Sequence, residues 1–134
     1  MAWSILYDMG CDPAEMATIV TAIGNHDEGT GVPVNAVAAA MILADKADVR
    51  RSRVRNKDLS TFDIHDRVNY SVISSHLTVK REEERVELSL AIDTAISPVM
   101  DYFEIFLGRM IMCRKAAEEL GLRFCLLVND QRLF

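Results

Sequence analysis

The chain has 134 residues, 50% of them apolar and 26% charged, with a net charge of −5. This suffices for one domain with its own core, and the acidic balance excludes a general attraction to nucleic acid or anionic membrane. Cys11, Cys113 and Cys125 are far apart and in no metal-ligand spacing, which favours reduced thiols and a cytoplasmic protein. The most apolar stretch, Val32 to Ala44, is too short to span a bilayer and carries Pro33 and Asn35. Met1 to Gly10 lacks the basic start and long apolar run of a signal peptide.

Ala2 to Met9 reads as a short helix, with Trp3, Ile5, Leu6 and Met9 as its apolar positions, and Gly10 ends it. Asp12-Pro13-Ala14-Glu15 combines an N-cap, a proline at the first helical position and an early glutamate, so a helix is expected over Pro13 to Gly24. His26 to Pro33 is broken by Gly29, Gly31 and Pro33 and reads as a loop. Val34 to Asp48 is a third helix, with alanine at 36, 38, 39, 40 and 44, which suits a central helix in close contact all round. Asp45 and Asp48 stand at its C-terminal end, where acids oppose the helix dipole, and this points to a cationic partner.

Arg50 to Lys57 carries five basic residues in eight. Leu59 to Asp63 is a polar linker, and Asp66 to Ser74 reads as a short helix, with Asp63 or Asp66 as its cap. From His76 the period changes to two. Leu77 and Val79, then Val86, Leu88, Leu90 and Ile92, alternate with polar residues around a charged turn at Lys80 to Arg85, the pattern of a β-hairpin. Ser97-Pro98 opens a long helix to Leu120, closed by Gly121, with a broad apolar face from Val99 to Cys113 that suits core or a subunit interface. Leu122 to Val128 is a further strand, Asn129-Asp130 a tight turn, and Arg132 to Phe134 a last edge.

His26, Asp27 and Glu28 directly follow one helix, and Asp45 lies one helix further on. An imidazole and a carboxylate on neighbouring helices can share a divalent cation. The competing reading is a helix-terminating loop with solvated acids. Lys46, Arg50, Arg51, Arg53 and Arg55 read either as a solvated, ion-paired face or as a phosphate-binding cluster; nucleic acid is disfavoured by the acidic total.

IGNHDEGTGVP resembles the later histidine loop of the HD-domain metal-dependent phosphohydrolases, and ILADKADV resembles their closing helix. The tail DTAISPVMDYFEIFLGRMIMCRKAAEELG is similar to a group of bacterial HD proteins. The resemblance implies that His26 supports a metal or the substrate and is the candidate catalytic residue, and that Asp45 is the closing metal carboxylate, with Asp48 as the alternative. It also implies a divalent metal (manganese, iron, zinc or magnesium) and a phosphate-ester substrate such as a nucleotide. The family's opening His and its His-Asp dyad have no counterpart before His26, so the chain is expected to match the C-terminal part of such a protein and to be incomplete as a catalyst. The alternative is a non-catalytic binding or oligomerisation module. The expected fold is α+β: a helical HD-like part over residues 1–58, then a hairpin–helix–strand unit over 59–134 whose long helix packs on a small antiparallel sheet. Uncovered apolar faces at Trp3 to Met9 and Val34 to Ala44 lead to the expectation of a homo-oligomer.

Overall fold

The computed structural model of the chain describes residues 1–133. It is an α+β fold of five α-helices and a four-stranded sheet in the order β1-β2-β3-β4. Helix α1 spans Ala2–Asp8, and α2 spans Pro13–Gly24. The Asp12 carboxylate accepts from the Ala14 and Glu15 amides at 2.8 and 3.3 Å, so two orphan donors of the first turn of α2 are satisfied. Helix α3 (Ala36–Ala47) starts two residues later than the sequence predicts, because Asn35 caps it by accepting from the Ala38 amide.

The 3-10 turns Arg51–Arg53 and Leu59–Thr61 lead to α4 (Ile64–Ser71), which Asp63 caps through the Asp66 amide at 2.7 Å. The helix is shorter than expected at its C-terminal end, since β1 (Val72–Lys80) begins where the sequence reading still has helix. Strand β2 covers Arg85–Ile92, α5 Val99–Glu119, β3 Arg123–Val128 and β4 Gln131–Arg132. The expected last edge is thus limited to two residues, and Phe134 lies outside the described residues.

Strands β1 and β2 pair antiparallel, with Leu77 opposite Leu88 and Val79 opposite Val86. Strands β2 and β3 pair parallel, with Val86, Leu88 and Leu90 opposite Phe124, Leu126 and Val128. The sheet is therefore mixed, and the expectation of an antiparallel one is corrected. The reason is the connection: β2 and β3 are joined through the 21-residue helix α5, and a helical crossover returns the chain in the same direction. Asn129 and Asp130, with φ of 50° and 64°, form the turn into β4. The Asn129 side chain also latches onto β2, accepting from the Ile92 amide at 2.8 Å and donating to the Ile92 carbonyl at 3.1 Å.

Helix α5 ends in a Schellman arrangement. Gly121 has a φ of 70°, its amide donates to the Glu118 carbonyl, and the Leu122 amide donates to the Ala117 carbonyl at 2.8 Å. The core face of the sheet (Val86, Leu88, Leu90, Leu126) meets Tyr102, Phe106, Met110 and Cys113 of α5. Ile42, Leu43 and Val49 join the same cluster, so buried side chains from both sides of residue 58 form one core. Helix α3 packs on α2, α5 and β1. Its contact is not all-round: Ala36, Val37, Ala40 and Ala44 face outward, and Ala38, Ala39, Ile42 and Leu43 face inward. Helix α1 buries no residue, and its Trp3, Ile5, Tyr7 and Met9 are exposed.

Candidate functional site

Helix α2 closes at Gly24 with Asn25 as its cap, and His26 follows at once. The His26 Nδ1 lies 2.6 Å from the Ile23 carbonyl oxygen. A carbonyl only accepts, so a bond there puts a proton on Nδ1 and leaves Nε2 to another partner. The loop after His26 is tight. The Gly31 amide donates to the Asp27 carbonyl at 2.7 Å, and a side chain at 31 would collide with the Asp27 and Asn25 carbonyls and the Met112 methyl. Only glycine lets the loop lie this close to α5.

The loop delivers Glu28 to α5. Its carboxylate accepts from Arg109 Nε at 2.6 Å and lies 3.8 Å from Lys46 Nζ. Lys46 is buried, with 6% of its surface exposed, and donates to Asp45 at 2.7 Å. A buried ammonium needs such partners, because desolvation without them costs several kcal/mol, about 3–5 when one member of a pair is removed. Arg109 also stacks over the Phe106 ring at 4.4 Å. Burial pushes the Asp45 carboxyl up, but the hydrogen bond and charge of Lys46, then the charges of His26 and Arg109, outweigh it and hold the group below its ordinary value. Glu28, Asp45, Lys46 and Arg109 thus make one ionic cluster where the loop after α2 meets α3 and α5. Beneath it, burial pushes the Cys113 thiol up to about 12, so this cysteine is an inert core residue.

Of the residues singled out in the sequence, Asp45 and Lys46 form an ion pair within the cluster, whereas the contact shown for His26 is with the Ile23 carbonyl at the end of α2. Asp48 does not join the cluster. It pairs with Arg50 at 2.9 Å and with Arg53 at 2.5 Å, so the cations expected to relieve the acids at the end of α3 are protein side chains. Arg51 donates to the Tyr70 carbonyl at 2.7 Å and stacks on its ring, and it lies 4.0 Å from Asp93. Arg55 makes no such contact among the described residues. The arginine run therefore lies apart from the cluster, and the guanidinium that reaches it is Arg109, 81 residues from Glu28. One signal for Arg109 is present in the sequence: it is the single charge in the apolar run Ile105 to Cys113. Among the described residues, no three His, Cys, Asp or Glu side chains are grouped so as to hold a metal ion. No helix among them is long and apolar enough to cross a membrane. No family model, curated protein or solved structure matches the chain.

Proposed function

We propose that the chain contributes His26 and Asp45 to the divalent-metal site of a phosphohydrolase acting on a phosphate ester such as a nucleotide. The observation that carries this reading is the setting of His26. Its Nδ1 is engaged by a backbone carbonyl, the arrangement that orients metal-ligating histidines. Asp45 is a carboxylate that Lys46 keeps ionised against the cost of its burial. One imidazole and one carboxylate suit manganese, iron or zinc, and magnesium with more oxygen donors. A divalent ion takes four or more donors, so the remaining ones come from outside the cluster, from a second chain or a further segment. When bound, such an ion polarises a phosphoryl oxygen and acidifies a water molecule. The chain's own tasks are to orient the ring through Ile23, to keep Asp45 charged through Lys46, and to present Arg109 to an anion when Glu28 releases it.

The test is hydrolysis of a panel of nucleotides and phosphomonoesters with added manganese, by the chain alone and by a version extended upstream with a His…His-Asp segment. Activity is expected in the extended protein only, abolished by Asp45→Ala and strongly reduced by His26→Ala. An inert extended protein would remove the reading. A second reading, a binding or oligomerisation module, is favoured by the apolar surface of α1, where Trp3, Ile5, Tyr7 and Met9 are all at least half exposed.

A further inference from the structure

Two cations converge on one oxygen of Glu28. Its Oε1 accepts from Arg109 Nε at 2.6 Å and lies 3.8 Å from Lys46 Nζ. The first is a short, charge-assisted hydrogen bond, and the second is beyond hydrogen-bond reach. A carboxylate seated on Arg109 thus fails to span the gap to Lys46. The Lys46 ammonium is buried, yet among the described residues its one hydrogen bond goes to Asp45 at 2.7 Å. An ammonium carries three donors, and a buried donor without an acceptor is costly. Arg109 is also underused. Its bond to Glu28 runs from Nε, and among the described residues its terminal amino groups donate to no protein acceptor. The Phe106 ring, 4.4 Å away, holds the guanidinium plane in place.

We infer that Lys46 and Arg109 form a binding site for a phosphate group, and that the Glu28 carboxylate is its resting occupant. Charge balance fits the exchange. Lys46 and Arg109 face Asp45 and Glu28, so the cluster is neutral as it stands. When Glu28 swings out, one positive charge is left over beside a buried ammonium, and an anion restores the balance. Geometry selects phosphate over carboxylate. Its oxygens are tetrahedral, so one takes the guanidinium fork while another reaches the Lys46 ammonium. Glu28 can leave without disturbing the core. Its side chain is 36% exposed, residues 27–30 all face solvent, and nothing lies within 4 Å of a carbon added at Gly29. The loop is anchored further on, where Gly31 packs against Met112 and bonds to the Asp27 carbonyl, so the movement is confined to its tip. Entry of a phosphate group is therefore coupled to release of Glu28. The ligand class rests on the phosphate-ester reading above, but no metal enters the inference.

An NMR titration of the chain with inorganic phosphate tests this, at constant ionic strength and with EDTA present. The backbone amides of residues 28–31, 46 and 109 report binding, and circular dichroism confirms folding. The wild type is expected to bind phosphate with a dissociation constant on the order of 1–10 mM. Glu28→Gln should tighten binding about tenfold, as removal of a competitor that closes the site roughly nine-tenths of the time does. Adding Arg109→Lys to Glu28→Gln keeps the charge but loses the fork, and should weaken binding again by about tenfold. Acetate should bind Glu28→Gln more weakly than phosphate does. Three results would overturn the inference: phosphate affinity unchanged or absent in Glu28→Gln, no loss on adding Arg109→Lys, or acetate bound as tightly as phosphate. Because EDTA removes divalent ions, a failure of manganese to bind in a separate titration would count against the metal reading and leave this result standing.

Discussion

Lys46 holds the cluster together at the scale of single residues. Its ammonium is buried against Asp45 and Glu28, and Asp45 keeps about two-fifths of its side chain in solvent. Because Asp45 can hydrate when its partner is lost, Lys46→Met should cost about 1–2 kcal/mol, less than breaking a fully buried pair. The pH dependence has a definite sign. Asp45 is held below its ordinary 3.8 in the folded chain, so the unfolded chain binds the proton more readily. The stability it contributes is present above the ordinary value and is lost as pH falls through the folded one. Urea midpoints followed into acid should therefore fall less steeply in Lys46→Met than in the wild type; an equal slope would mean that Lys46 does not set the Asp45 charge. Gly31→Ala should destabilise the chain by about 1–3 kcal/mol, because the added carbon has no room beside the Asn25 carbonyl at 2.5 Å and the Met112 methyl at 2.8 Å. The same change should uncouple Glu28 from Arg109, visible in the side-chain NMR signals of Arg109.

The elements follow local rules that the sequence carries openly. Asp12, Asn35 and Asp63 cap α2, α3 and α4 with hydrogen bonds of 2.7–2.8 Å. Asn35→Ala should lower stability by about 1 kcal/mol in urea unfolding. Leu88, fully buried on β2, should cost about 3 kcal/mol as Leu88→Ala. Helix starts and the β1–β2 hairpin were legible because each rests on residues within one turn or one strand pair. The parallel β2–β3 pairing was less so. The strand Phe124 to Val128 is nearly all apolar and has no alternation to show its direction; only the intervening helix α5 signals a crossover. The cluster was legible in part. Asp45 and Lys46 are neighbours on one helix, whereas the Glu28–Arg109 contact joins residues brought together only when α5 packs on α3. The arginine run read as one feature because its members are adjacent, but they divide between Asp48 and Tyr70 once the chain turns.

On the scale of the whole molecule, α5 separates two surfaces. One side closes the core and meets Glu28 through Arg109, and the other leaves Met100, Leu107 and Ile111 exposed. The metal reading asks two side chains of this chain to supply part of a cation's donors, and partial donor sets bind weakly. Titration calorimetry with manganese measures this directly. The account predicts binding weaker than micromolar, with a dissociation constant on the order of 1 mM or about 4 kcal/mol, lost in both His26→Ala and Asp45→Ala. Binding that survives both substitutions, or no binding at millimolar manganese, would contradict it.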